Sequence, residues 1–537
     1  MIPVQSPVTT TPESRGVSGA DRDSPSARRD GAIFAAIVAV FLCITLPLSA
    51  ALNIWIDESY SLLTTSRDLA FVFQHSRDFE TQPPMYYVLL WIWRHFGDSI
   101  FFARMSSVTI GVAAVWFIGL AAKRWIPGAA PGWVSATLAI NTYFIWATTE
   151  IRTYALVILL TAVLSVLFHD GFYQEQPRRL LQAIYAIVAL IAISAYYYLG
   201  FFLVAPAAVL LVERRWRVLA QYVGWMALVG LVFLPGFILG GEHMGIVSHA
   251  LKDPPTPLRA LQMVLGRLFS MPFAFTYLPI PVKWIAMGVS LCVAVASLWV
   301  FRANITPRVR ALWIIAGTVA FCYLGVVQFV FGEHVLNRHF LVLLVPSTLA
   351  LYSITSIYGR HAKTARVVWL TIALAFNAFE AFNQFKPLAK VGDYRRVAQY
   401  IEAHEQAGQS IVIVANHAEL PFSYYYRGTS RIVPLPEKDD YLNYVFEEWQ
   451  LESVEQVREQ LAGAVSTDGL LWVFMDRPPD SVFFGVDLHF EYLESAIAAD
   501  FTVLDEQEFY FGNLRLLGAT GVEREVSSLS AEPGAAD

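Results

Sequence analysis

The sequence is short of charge, of cysteine and of internal repeats. Asp, Glu, Lys and Arg make up 15% of its 537 residues and hydrophobic types 56%, against roughly 25% charged and 45–50% apolar in soluble domains. That deficit, with a mean hydropathy of +0.49, excludes an ordinary soluble protein. Cys43, Cys292 and Cys322 all fall inside apolar runs, where they read as small buried hydrophobes. Neither a disulfide framework nor a cysteine-ligated metal knuckle can be built from them. The net charge is only −6 and the cations are scattered over many short loops, which argues against nucleic acid as a partner. The lack of a repeat argues against an inverted-repeat transporter.

What is present is a series of long apolar runs. Residues 1–30 carry Ser, Thr, Pro and charge without apolar periodicity and read as a disordered cytoplasmic tail. The next run, "GAIFAAIVAVFLCITLPLSAALNI", is too long for the core of a signal peptide and is expected to be a retained first span. Further runs lie near 100–122, 131–149, 151–168, 180–197, 199–212, 218–239, 281–301, 311–331, 340–358 and 366–384. The fold class is therefore a polytopic α-helical membrane protein of about eleven spans, up to about thirteen with the stretch 258–280. Its domain spans residues 31–388, with a long first outer loop at 53–99. Alternate connections each carry at least two cations: Lys123 and Arg124; Arg178 and Arg179; Arg214, Arg215 and Arg217; Arg302, Arg308 and Arg310; Arg360, Lys363 and Arg366. The intervening short turns carry one or none. This is the positive-inside pattern with a cytoplasmic N-terminus, and an odd span count puts the C-terminus outside.

From 389 to about 520 the character changes. "DYRRVAQYIEAHEQ" and "LESVEQVREQLAGAV" read as helices, and "SIVIVA", "LLWVFM" and "FYFGNLRLLGA" as strands. A small soluble α/β domain is expected, followed by a disordered tail at 521–537. On the same topology Asp57, Glu58, Glu150, Arg152, Tyr196, Tyr197, Tyr198, Arg338 and His339 converge on the outer face. Polar groups at membrane depth pair or line a wet cavity, so a cavity is expected there. "TQPPMYYVLLWIWRHFG" fits a helix lying in the interface beside it.

The ordered pieces "IWIDESYS", "QPPMYYVLLWIWRHFGDSIFFARMSS", "NTYFIWATTEIRTYAL", "SAYYYLGFF", "NRHFLVLLVP" and "KVGDYRRVAQYI" resemble the membrane glycosyltransferases of the GT-C fold that use polyprenyl-phosphate sugars. They include the aminoarabinose, mannose and lipopolysaccharide-core sugar transferases, and the resemblance covers most of residues 50–400. It implies inverting transfer of a sugar from a polyprenyl-phosphate donor to an envelope acceptor hydroxyl on a glycolipid, polysaccharide or protein. The setting it implies is the outer face of a bacterial inner membrane, with membrane lipid as the surrounding partner. It implies Asp57 as the base and Glu58 as a holder of donor or acceptor hydroxyls. Arg152 and Arg338 are its cations for the leaving phosphate. Glu150, Tyr154, Tyr197 and His339 fall among the substrate-binding positions, and Gln82 and Pro83 shape the loop entrance.

Two pieces depart from the family pattern. Relatives carry His before the Pro pair where this chain has Gln82, and a His-bearing form where it has Tyr196 to Tyr198, which also fits an interfacial aromatic belt. Other readings stand beside the implied roles. Adjacent acids also mark helix ends, Glu150 and Arg152 also fit a structural ion pair, and Arg338 also fits a snorkelling helix-end cation. On a regular helix Arg152 would point away from Glu150 and Tyr154. His75, Glu80, Glu242 and His243 offer cation ligands without a spacing that demands one; no metal and no cofactor are expected. The "NIT" at Asn304 falls on the inner face and is not expected to be glycosylated. The rival functions are a transporter or flippase of lipid-linked intermediates, and a scaffold with a decayed site.

Overall fold

The computed structural model describes residues 25–241, 255–331, 337–437, 441, 449–477, 482–483 and 486–520. The protein is a multi-pass helical membrane protein with a C-terminal domain built on a small sheet. Among the described residues eight helices are long and apolar enough to cross a membrane: Arg29–Ala51, Ile100–Trp125, Tyr154–Tyr173, Trp216–Pro235, Ile280–Val300, Pro307–Phe329, Asn337–Ile357 and Gly359–Gln384. Two shorter apolar helices, Arg179–Ala195 and Leu199–Val212, pack beside them.

The described helices differ in places from the apolar runs of the sequence. The first helix starts at Pro25, inside the stretch read as a tail, while residues 1–24 and 521–537 lie outside the described residues. The run 131–149 folds as two short helices, Pro131–Ala139 and Thr142–Thr148, instead of one span. Asn141 is the cause: its side chain accepts from Phe144 N at 3.0 Å to cap the second helix, and its amide donates to Met271 O at 2.8 Å. The ambiguous stretch holds the helix Pro257–Phe273, whose two arginines mask it from a hydropathy reading. Cys43 and Cys292 are exposed on spanning helices rather than buried.

Asn337–Ile357 runs through the middle of the bundle and is almost wholly buried, whereas Arg29–Ala51 and Trp216–Pro235 expose most of their surface. In lipid, helices associate through close packing and interhelical hydrogen bonds. Gly111 permits the first, since a Cβ there would lie 2.6 Å from Thr148 Cγ2. Trp125 Nε1 donating to Ser165 O and Thr142 Oγ1 to Asn377 O, both at 2.9 Å, supply the second.

The tail carries β1 (Ser410–Val414), β2 (Arg431–Leu435), β3 (Leu470–Met475), β4 (Val482–Phe483), β5 (Val486–Asp487), β6 (Phe501–Phe509) and β7 (Gly512–Ala519). Five of them form a sheet of order β2-β1-β3-β7-β6, parallel across β2, β1 and β3 and antiparallel across β3, β7 and β6. β1 is buried along its whole length, as a parallel strand covered on both faces should be. Pro434, which lacks an N–H for a ladder, sits in β2 at the sheet edge. Helices Val454–Ala464 and Phe490–Asp500 cover one face. Helix Tyr394–His404 lies in the apolar cluster on the other face, and Ile56, Tyr60 and Phe79 of the membrane domain join that cluster. The sheet domain is thus docked on the loop after the first span.

Candidate active site

That loop carries three short helices, Ile56–Thr64, Leu69–Asp78 and Met85–Arg94. Asp57 and Glu58 occupy the first turn of the first, where the helix dipole favours carboxylates. Successive positions on a helix differ by about 100°, so the two acids meet different surroundings. Asp57 Oδ2 accepts from Arg338 Nη1 at 2.9 Å, with each side chain about a fifth exposed. The Arg338 guanidinium also lies 5.4 Å from the centre of the Trp55 ring.

Glu58 has no exposed surface. Arg104 holds both its oxygens, Nε to Oε1 at 3.0 Å and Nη2 to Oε2 at 2.9 Å, while Lys390 Nζ donates to Oε2 at 2.7 Å and Ile151 N to Oε1 at 3.0 Å. Burial pushes this carboxyl up, but Arg104 and Lys390 outweigh it and hold it below the usual range. Protein donors thus take both Glu58 oxygens, where donor or acceptor hydroxyls were expected.

Lys390 also reaches Glu150 Oε1 at 2.9 Å and Thr149 O at 3.3 Å. Glu150 is buried too, and its Oε2 accepts from Trp55 Nε1 at 2.5 Å. No arginine pairs with it among the described residues, so burial dominates and, against the opposing charge of Lys390, pushes its carboxyl up to about 7. A folded-state pKa above the ordinary 4.5 means that the proton stabilises the folded form. That stability is fully present below about 4.5 and is lost as the pH rises through about 7. Glu150→Gln is expected to flatten this part of the stability profile in thermal unfolding scans. A profile identical to that of the wild type would contradict the assignment.

Glu150 and Arg152 lie in the link between Thr142–Thr148 and the helix Tyr154–Phe168, so the helical separation expected for them does not apply. The structural ion pair exists with a different acid. Arg152 Nη1 donates to Glu80 Oε2 at 2.7 Å, to Ser61 Oγ at 3.0 Å and to Asp57 O at 3.1 Å. Arg152 thereby fixes the backbone that carries Asp57.

Tyr154 stacks on Trp146 with ring centres 5.0 Å apart. His339 stacks on Tyr198, and Tyr197 meets Phe233 edge-on. Gln82 N donates to Ser76 O at 3.0 Å and Pro83 is buried, so this pair shapes the loop and does not line the cavity described next. His75 and Glu80 share a hydroxyl partner. Thr64 Oγ1 lies between them, 2.8 Å from His75 Nδ1 and 3.4 Å from Glu80 Oε1, and His75 Nε2 meets Tyr441 O at 2.8 Å. Glu242 and His243 lie outside the described residues.

A cavity of ≈ 740 Å³ opens on the other side of Arg338. Its charged lining is Arg259, Arg267, Lys283, Arg338 and Glu380, and Tyr143, Trp146, Met263, Trp284 and Met287 supply apolar walls. Glu380 is engaged by the backbone, accepting from Thr276 N at 2.8 Å and Tyr277 N at 3.0 Å. The cavity is therefore strongly cationic and half apolar, which suits a phosphate on a hydrocarbon chain. Arg259, Gln262, Met263, Gly266, Arg267 and Ser270 recur at helical spacing and form one stripe of the helix Pro257–Phe273. The sequence reading missed this stripe, Lys283, Arg104 and Lys390.

No protein-family model and no curated protein matches the sequence. Among solved structures, the chain resembles ArnT from Cupriavidus metallidurans in the apo state, at 12% identity with a TM-score of 0.52, over 92% of this chain and 98% of that one. The chain has the GT-C fold. Weaker likenesses are to ArnT from Cupriavidus metallidurans bound to undecaprenyl phosphate, at 15% identity, TM-score 0.40, covering 91% and 99%. Another is the Archaeoglobus fulgidus oligosaccharyltransferase in complex with Zn and sulfate, at 10% identity, TM-score 0.46, covering 82% and 67%.

Proposed function

We propose that this GT-C protein transfers a sugar from a polyprenyl-phosphate donor to a hydroxyl of a cell-envelope acceptor, with inversion. The observation that carries the reading is the cationic, half-apolar cavity that meets a carboxylate, Asp57, through the guanidinium of Arg338. The donor's phosphate enters among Arg259, Arg267, Lys283 and Arg338, with its chain along the apolar walls. The acceptor oxygen attacks the anomeric carbon as the bond from that carbon to the phosphate oxygen breaks. The bond pair leaves with the phosphate, whose new charge the cations stabilise, and the hydroxyl proton passes to Asp57. An arriving phosphate competes with Asp57 for Arg338, so donor binding and release of the base are linked. Side-chain cations take the phosphate in this scheme, which uses no cofactor and no metal. The clusters of Arg178, Arg179, Arg214, Arg215 and Arg217 at the opposite helix ends support a site on the outer face of a bacterial inner membrane.

Arg338→Met and Arg267→Met are each expected to weaken binding of a polyprenyl phosphate by about 10- to 100-fold, the worth of one charge-assisted hydrogen bond. Titration of purified protein with the fluorescently labelled lipid measures this. Unchanged affinity in both variants would remove the cavity from the donor site.

A further inference from the structure

A second cavity, of ≈ 1200 Å³, lies at the opposite ends of the helices from Asp57. It is bounded by His169 and Tyr173, by the link containing Arg178, by Arg215, and by the start of the helix Pro307–Val326 at Thr306 to Arg308. His169 opens a five-residue π-helical turn, His169–Tyr173, a rare geometry that is frequent at functional sites. His169 is 3% exposed, and its Nδ1 lies 2.8 Å from Asp170 Oδ1. The carboxylate fixes the ring hydrogen on Nδ1, which leaves Nε2 as an acceptor. Buried in the cavity wall, Nε2 has no hydrogen-bond partner among the described residues.

The surrounding charges are ordered around that nitrogen. Asp170 accepts from Arg124 Nε at 2.6 Å and Glu213 from the Tyr173 hydroxyl at 2.9 Å, so both acids are engaged. Glu175 stands at the exposed rim. Arg215 is pinned to the link through Tyr173 O and Gln174 O. Arg178, Arg308 and the positive end of the helix Pro307–Val326 face the cavity. Leu180, Leu211, Val212 and Trp216, near Arg178 and Arg215 in the chain, are large apolar side chains that stand exposed. Such a surface is covered by acyl chains, and basic pockets between spanning helices take anionic head groups.

We propose that this cavity binds the head group of an anionic phospholipid that carries both a phosphodiester and a free hydroxyl. The phosphate meets Arg178, Arg308 and the helix N-terminus, and the hydroxyl donates to His169 Nε2. The site is independent of the transfer reaction proposed above.

Native mass spectrometry of the full-length protein with phosphatidylglycerol or phosphatidylcholine tests it. The wild type is expected to retain phosphatidylglycerol in preference to phosphatidylcholine. Arg308→Gln, at an exposed position, is expected to lower that retention by roughly fivefold, the worth of one cation near a lipid phosphate. His169→Phe, which keeps the buried ring, is expected to reduce phosphatidylglycerol retention while leaving retention of phosphatidic acid, which has the phosphate but no glycerol hydroxyl, unchanged. Equal retention of the two lipids by the wild type, or phosphatidylglycerol retention unchanged in both variants, would overturn the proposal. Displacement of phosphatidylglycerol by millimolar inorganic phosphate would overturn it in favour of a free-anion site.

Discussion

Asp57→Asn is expected to slow sugar transfer by about 10²- to 10⁴-fold, the usual contribution of a positioned general base. The amide keeps the size of the side chain and an oxygen that can still accept from Arg338, so the local geometry survives. What is lost is the site for the acceptor proton. The loss should therefore fall on kcat, with the KM for the lipid-linked donor unchanged or lowered because a neutral amide competes less with the phosphate for Arg338, and steady-state assays that vary the donor separate the two. A purely structural Asp57, serving to pin Arg338, would give the opposite division, with weaker donor binding and an intact kcat. Unchanged turnover would remove Asp57 from the mechanism.

Arg104→Met is expected to cost about 3–5 kcal/mol of stability, because it leaves a buried carboxylate short of its main partner. Beyond Glu58, Arg104 donates to Ser49 O at 3.0 Å, Leu52 O at 2.7 Å and Asn53 O at 2.9 Å, so it also ties the end of the first span to the start of the site loop. Lys390 alone then faces Glu58 and Glu150. Thermal unfolding of Arg104→Met, Glu58→Gln and the double variant measures the coupling. The double variant should lose less than the sum of the single ones, since both break one interaction. Additive losses, or a loss below about 1 kcal/mol for Arg104→Met, would show that Glu58 is held by something else.

The membrane fold was legible because hydropathy reports directly on which segments can be left without water. The places where that reading failed share a cause: polar side chains placed inside the bundle for a purpose. Asn141 splits one apolar run in two, and Arg259 and Arg267 lower the hydropathy of a helix whose polar stripe lines the cavity. That stripe was present in the sequence as a helical period, but a search for apolar runs passes over it. The separation of Asp57 from Glu58 was also implicit, since neighbours on a helix cannot face the same way. Lys390 was not legible at all. It stands 332 residues from Glu58, and only the tertiary fold brings its ammonium beside both buried acids. Asn53 fixes it there, with its Oδ1 accepting from Lys390 N at 2.7 Å and its Nδ2 donating to Lys390 O at 3.3 Å. In the α/β domain β6 was missed because exposed acids interrupt its apolar positions, as suits an edge strand.

Electron cryomicroscopy of the full-length protein with a polyprenyl phosphate bound tests most directly whether the cavity at Arg338 holds the donor phosphate. Phosphate density is expected in the cavity, in ion-pair contact with Arg338 and Arg267, with Asp57 released from Arg338. Lipid phosphate bound elsewhere, with the Asp57 to Arg338 pair intact, would contradict it.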